Sequence, residues 1–405
     1  MKVVYSRCCG LDVHKDSVTV CLVTESGSEV RTFRTVTRDL LALSDWLCAN
    51  KCQAVAMEST GVYWRPVHNV LEGTGMELLV VNAKHFKAVK GRKTDVKDAE
   101  WLADLLRHGL LQGSFVPDRE QRELRDVVRY RRRLIQDRSR EANRVMKVLE
   151  GANIKLKSVI SDVLGVAGRA MLELLASGET DPAKIAGAAR TSLRATTEEL
   201  EIALEGLMSE DQRLMLLTQL QHLDFLSERI EALSARIEER MRPFEDQIRR
   251  LDTIPGVGRR VAEEVVAEVG VDMGRFPSAA HLCSWAKVCP GLNESAGKRG
   301  PATTGYGNRY VSSALAEAAW AASRTKNTYL ASQFWRIAGR RGKKRAVVAV
   351  SNSTLRIIYY ILRDGTEYQD LGADYFDQRA FHYVTRSAVK RLERLGWEVY
   401  LAKAA

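Results

Sequence analysis

Two aspartates three positions apart, Asp95 and Asp98, sit in the stretch "GRKTDVKDAEWLADLLRHG" (residues 91–109), just behind a cluster of lysines and arginines. Read as the mouth of a helix, this spacing puts both carboxylates on one face, because residues three apart are neighbours there. Two more acids lie where strands are expected: Asp12 in "GLDVH", and Glu58 at the end of the buried pattern "AVAME". Taken singly, each reads as an ordinary surface charge, and Asp95 as a carboxylate favoured at a helix N-terminus. The set predicts a metal site. Carboxylates gathered together repel one another unless cations occupy the gap, and charge placed in or at the end of an apolar strand is costly. Hard divalent ions such as Mg²⁺, or Mn²⁺ in its place, take carboxylate oxygens and keep positions open for water or phosphate. Two such ions about 4 Å apart can stabilise the attacking and leaving oxygens of phosphodiester cleavage.

Basic residues surround these acids. Lys84, Lys87, Lys90, Arg92, Lys93 and Lys97 flank them, and "YRRRL", "GRRGKKR" and "GNRY" with Arg309 add clusters able to contact phosphate backbones. Charge runs are often only solvated faces; the run beside the acids is the one expected to draw a DNA strand toward a negative site. Tyr63 and Trp64 could stack on bases or pack into the core. Across 405 residues, 62 Lys plus Arg against 51 Asp plus Glu leave a net charge of +11. That balance favours a polyanionic partner, nucleic acid first. No apolar run approaches the roughly 18 residues of a spanning helix, and the first residues do not resemble a secretory signal. No membrane partner and a cytoplasmic location are therefore expected. Seven cysteines, odd in number and irregularly spaced, do not make a disulfide framework. Cys48 and Cys52 stand at helical spacing, yet no matching pair follows at zinc-site spacing, so reduced, mostly buried thiols are expected.

The elements that must position the acids follow from periodicity. "CCGLDVHKDSVTVCLVTESG" and "EVRTFRTVT" predict a meander of three strands. A helix over 39–49, a strand over 54–58, a helix over about 62–71 and a strand over 78–81 complete a mixed-sheet α/β domain. Beyond residue 118 strand signals vanish. "ELRDVVRYRRRLIQDRSREANRVMKVLEG" predicts a long helix ending at Gly151, with Leu124, Val127, Val128 and Leu134 on one side. In a second long helix, Leu220, Leu223, Leu226, Ile230, Leu233 and Ile237 step by three and four, the period of a coiled-coil seam. That seam fits an intramolecular helical hairpin or a dimerisation arm. "LDTIPGVGRRVAEEVVAEVG" describes two helices joined by a turn whose N–H groups could meet a phosphate, similar to a helix-hairpin-helix element. The fold class is α/β plus all-α. Its expected segments are 1–115, a mixed-sheet domain; 116–248, a helical region; 249–365, a third unit; and 366–405, a tail without a motif.

"GLDVHKDS", "MESTGVYW", "GRKTDVKDAEWLADL", "IPGVG", "ESAGKRG" and "GNRY", in this order, resemble the DEDD insertion-sequence transposases, the group spoken of as "IS one-ten", which includes bridge-RNA-guided recombinases. The resemblance covers roughly residues 8–112 and 250–335. It implies an RNase H-like first domain similar to the Holliday-junction resolvase RuvC, with Asp12, Glu58, Asp95 and Asp98 as the four acids. It further implies a coiled-coil insertion and a transposase domain whose serine becomes joined to DNA. Donor and target DNA, a structured non-coding bridge RNA, and homodimers assembling to a tetramer are the implied partners. Family members commonly carry Ser-Ser-Gly-Gly-Lys, where this chain reads Glu294, Ser295, Ala296, Gly297, Lys298. Aligned on the lysine, Ser295 takes the nucleophile's place. A glycine-flanked loop lets a phosphate approach, and Lys298 and Arg299 could balance the transition-state charge. A serine beside glycine also serves simply to turn the chain, and Thr303, Thr304 and Ser312 are competing nucleophiles. The rival functions are a hydrolytic RuvC-like endonuclease, and a basic DNA-binding protein without catalysis.

Overall fold

The computed structural model describes residues 2–59, 61–82, 95–189, 193–291, 294–295, 297–299, 303–305 and 307–402. The chain divides into two compact units, Met1–Arg119 and Glu120–Ala405.

The first unit is built on a five-stranded sheet. β1 (Cys8–Val13), β2 (Ser17–Thr24) and β3 (Gly27–Arg34) form an antiparallel meander. α1 (Thr37–Ala49) leads to β4 (Ala54–Glu58), and α2 (Trp64–Leu71) to β5 (Glu77–Val81). β4 pairs parallel to β1, and β5 parallel to β4, giving the order β3-β2-β1-β4-β5. This mixed sheet with helices on both faces fits an RNase H-like α/β domain.

Every residue of β1 is buried, because the strand is central and covered on both sides. Cys9, Leu11 and Val13 join Val55 and Met57 in a core with Leu43 and Leu47 of α1 and Val67 and Leu71 of α2. Trp64 packs against this core, while Tyr63 is exposed. On the opposite face, Cys8 packs with Ala54, Ala56 and Leu106 of α3 (Asp95–Arg107), and Cys21 with Ala99 and Ala103. α3 runs antiparallel to β1, since its last carbonyl, Arg107, accepts the Val4 amide at 2.8 Å while Ala99 lies over Gly10. Four helical residues rise about 6 Å and two strand residues about 6.6 Å. Each i, i+4 step of α3 therefore matches one two-residue step of β1, and the register carries Asp95 to the level of Asp12.

The second unit is helical. α4 (Arg119–Gly151) and α9 (Glu210–Met241) form an antiparallel hairpin. Leu124 and Val128 cluster with Ile237 and Met241; Leu134 with Leu226 and Ile230; and Val145, Val148 and Leu149 with Leu216, Leu220 and Leu223. Of the two readings of the leucine seam, the intramolecular hairpin is the one seen within the chain. α5 (Leu156–Val159), α6 (Val166–Ser177), α7 (Pro182–Gly187) and α8 (Thr197–Leu204) close over its far end.

At the other end the hairpin shares a core with α10 (Glu245–Asp252), α11 (Arg259–Val269), α12 (Ala279–Ala286), α13 (Arg309–Ala322), α14 (Tyr329–Arg341) and α15 (Lys343–Asp364). α16 (Tyr375–Arg379) and α17 (Phe381–Arg394) follow. Two short antiparallel strands, β6 (Glu294–Ser295) and β7 (Lys298–Arg299), lie between α12 and α13. In the turn between α10 and α11 the Ile254 amide bonds to the Leu251 carbonyl of α10 and the Val257 amide to the Ile254 carbonyl. Gly256, at φ +87°, abuts the α13 backbone at Ala318 and Ala322, where a side chain would overlap. The glycine serves close packing of turn on helix.

Candidate active site

β1 delivers Asp12 onto the face covered by α3, two residues past Gly10. The side chain is only 10% exposed. His14 follows two residues later, on the same face by strand alternation, where the chain turns back into β2 and the His14 amide bonds to the Ser17 carbonyl at 2.9 Å. Its Nε2 lies 3.1 Å from Asp12 Oδ2 and 3.5 Å from Asp95 Oδ1. One ligand atom from each of Asp12, His14 and Asp95 fits within 4.8 Å of the others.

Burial holds the Asp12 carboxyl above its ordinary range. His14 pulls the other way, while the negative charges of Asp95 and Asp98 add to the rise. Asp98, half-buried in the first turn of α3, is thus close enough to be felt by Asp12. Glu58 ends β4. The parallel register pairs Leu11 with Met57, so Asp12 and Glu58 are the next residues of adjacent strands and point to the same face about 4.8 Å apart in backbone. Neither Asp98 nor Glu58 joins the trio within 4.8 Å. Two carboxylates and an imidazole suit a divalent ion, and the surplus negative charge around buried Asp12 is what a cation would relieve.

Two family models match the chain: a DEDD transposase model over residues 9–154, and the transposase IS116/IS110/IS902 family over residues 248–336. Together they span more than half of it. The chain belongs to the IS110 family of transposases. No curated protein matches it. As an IS110 transposase it is an enzyme that acts on DNA, and its DEDD class implies use of a divalent metal.

His14 is the site residue that reading the transposase's acids alone overlooks. Its signal was the i, i+2 spacing to Asp12 on a strand, which puts the imidazole beside the carboxylate. Of the predicted nucleic-acid contacts, Lys97 lies exposed in the first turn of α3, whereas Lys84, Lys87, Lys90, Arg92 and Lys93 fall outside the described residues.

In the second unit, Ser295 lies on β6, with its backbone paired to Lys298 of β7. Lys298 is exposed, and Arg299 ends β7. The Gly291 amide bonds to the Thr303 carbonyl at 2.9 Å, tying together the two ends of the segment that carries this hairpin. Of the competing nucleophiles, Thr303 is exposed, Thr304 is half-buried, and the Ser312 hydroxyl bonds back to the Arg309 carbonyl at 3.2 Å. The last arrangement is typical of a helical serine.

The "YRRRL" cluster requires a correction, because most of its charge is turned inward. Arg131, 3% exposed, meets Glu263 at 2.7 Å without hydrogen-bond alignment. Arg132 pairs with Glu264 and Glu317, and Arg129 grips Glu268 at 2.5 and 2.7 Å. α11 presents Glu263, Glu264 and Glu268 to α4 and α13 presents Glu317, and buried charges persist only when paired. Asn308 links "GNRY" to the same network: its Nδ2 donates to Glu268 at 2.7 Å, and its Oδ1 caps α13. Arg309 and the exposed Arg133 donate to the Tyr310 hydroxyl at 3.0 and 3.3 Å. Partial burial would raise that hydroxyl's pKa, but the two guanidiniums outweigh it and hold it below the usual range.

Proposed function

We propose that this transposase exchanges DNA strands through two sets of groups: a divalent-metal site on the first unit and a serine nucleophile on the second. Asp12, Glu58, Asp95 and Asp98, joined by His14, would hold Mg²⁺ or Mn²⁺. The observation that carries this part is the approach of Asp12, His14 and Asp95 ligand atoms to within 4.8 Å. A bound divalent ion supplies charge neutralisation at phosphodiester oxygens. Asp12 is held stiffly by the central strand, whereas Asp95 and Asp98 ride on the end of α3.

In the second unit, the Ser295 oxygen would attack a DNA phosphorus. A Ser–O–P bond forms, the strand's P–O bond breaks, and the serine proton ends on the departing strand hydroxyl. Reversal of these bonds with a different strand completes the exchange without a free broken end. Lys298 and Arg299 would offset the charge gathering on the phosphate, and Lys97 and Arg309 would contact backbone phosphates. Donor and target DNA would be paired by a non-coding bridge RNA, with homodimers assembling to a tetramer. The family resemblance and the chain's net positive charge support these partners.

The test is a denaturing gel of protein incubated with element-flanking RNA, labelled donor and target DNA and Mg²⁺. A protein-linked DNA band present in wild type and lost in Ser295→Ala is the expected result. If the band survives in that variant, Ser295 is not the nucleophile. Metal-dependent nicking with no band in either protein would favour a hydrolytic nuclease using the first unit's acids alone. Unchanged activity in Asp95→Ala would remove the metal site from the reaction.

A further inference from the structure

A large cavity beside Pro290 and Thr304 has one strongly basic wall. It measures 1170 Å³ and lies between the α14–α15 corner and the chain around Val288, Pro290 and Thr304. Arg340 and Arg341 end α14, and Lys344 and Arg345 begin α15, one turn beyond Gly342 at φ +83°. All four cations are exposed, and all four line the cavity. No carboxylate lines it, and among the described residues none of the four has an acidic partner. Other arginines of this unit are treated differently: Arg129, Arg131 and Arg132 are paired with glutamates.

A solvated basic face would account for isolated cations on a convex surface. It does not account for four cations within six residues around a concavity, none with an acidic partner among the described residues. Three of the neighbouring cations, Lys343, Lys344 and Arg345, also stand at the start of α15, where positive charge opposes the helix dipole and no acid offsets it. The arrangement therefore costs local stability, and a polyanion would relieve it. The floor is apolar, with Ile337, Val348 and Ala349. Small-molecule pockets typically enclose about 300–1,000 Å³; this cavity is larger and open, as a polymer requires. Its far wall includes Pro290 and Thr304, which flank the two ends of the Ser295 segment joined by the Gly291–Thr303 hydrogen bond.

We propose that this cleft holds the phosphodiester backbone of a nucleic-acid strand, gripped by Arg340, Arg341, Lys344 and Arg345. The strand then passes the foot of the segment carrying the serine. The inference deepens the reading of the second unit as the strand-exchanging one and rests on it only for the strand's purpose, not for its binding.

The experiment measures binding of the full-length protein, in chelator so that no cleavage occurs, to three labelled probes: single-stranded DNA, duplex DNA and single-stranded RNA. Each is titrated across a salt series with wild type and with Arg341→Ala/Lys344→Ala/Arg345→Ala. Each lost phosphate contact lowers the slope of log K against log salt by about 0.7–0.9. The triple variant should lose about two to three units of slope and bind at least tenfold more weakly to the probe the cleft accepts. The probe most affected identifies the strand. A charge-keeping variant, Arg341→Lys/Lys344→Arg/Arg345→Lys, should retain the wild-type slope. Slopes unchanged for all three probes overturn the proposal, as does an equal loss in the charge-keeping variant. Should the triple variant fail to fold, Arg341→Ala alone should lower the slope by nearly one unit. Because binding is read in chelator, with no bond made or broken, failure of the serine mechanism and failure of the cleft are read separately.

Discussion

Gly10 of β1 lies so close beneath Ala99 of α3 that a methyl group on it would overlap the helix backbone at Ala99 and at Ala103. The missing side chain lets α3 settle onto the central strand, and with α3 come Asp95 and Asp98. Gly10→Ala should therefore act on both stability and the metal site. Overpacking of this kind costs about 1–3 kcal/mol. Thermal denaturation should show that loss, and divalent-ion titration should show weaker binding, although no metal-facing group has been altered. Normal ion affinity at reduced stability would mean that the acids do not depend on how closely α3 is seated.

Asp12 carries a second prediction with a definite sign. Its carboxyl keeps its proton to higher pH in the folded protein than in the unfolded chain, because it is buried and faces Asp95 and Asp98. The folded state then binds more protons in the window above the ordinary carboxylate range, and stability falls as pH rises through it. In chelator, Asp12→Asn should melt near wild type at the acidic end and progressively higher than wild type as pH rises. Added Mg²⁺ should raise the melting temperature of wild type but not of the variant. A variant less stable than wild type at neutral pH without metal would contradict the charge argument.

Arg131 and Glu263 test the corrected reading of the basic cluster. Both are buried, at 3% and 4% side-chain exposure. Removing Arg131 leaves the buried Glu263 with Arg259 alone, which donates to its other carboxylate oxygen at 3.1 Å; breaking a buried pair costs up to about 3–5 kcal/mol. Arg131→Ala should thus lower the denaturation midpoint strongly. Arg131→Met with Glu263→Leu should recover most of that loss, and neither change should alter the salt dependence of DNA binding. A reduced salt slope at full stability would return Arg131 to the nucleic-acid interface.

The thiols provide a fourth check. Cys8, Cys9, Cys21, Cys52 and Cys283 are buried, Cys289 is half-buried and Cys48 is exposed. Burial pushes the Cys8, Cys21 and Cys283 thiols up to about 11 and Cys52 to about 12. Native protein should react quickly with a thiol reagent at Cys48, more slowly at Cys289, and at all seven only after unfolding. Fast reaction at Cys8 or Cys21 would show that α3 lifts from the sheet.

The strand meander, the two later strands and both long helices were legible because alternation and three-four periodicity are local properties of the chain. Asp95 and Asp98 were legible as a pair for the same reason. His14 was overlooked because an imidazole at a strand end carries no meaning until a helix from elsewhere brings a second carboxylate to it. The "YRRRL" residues misled in the opposite way. Their charge was visible, but the glutamates that neutralise it lie on α11 and α13, more than a hundred residues along the chain.

By itself, then, the order of residues determined which segments alternate, which wind into helices, where acids and bases cluster, and which family of transposases the motifs resemble. Tertiary structure alone decided which charges meet. It set Asp95 against Asp12 and His14 through the fit of α3 onto Gly10, paired Arg131 with Glu263 inside a helical core, and left Arg341, Lys344 and Arg345 facing an open cleft. The physical reason is range. Backbone propensity and periodicity act over a few residues, whereas the energy of a charge depends on its burial and its nearest partners, which only the packed chain supplies.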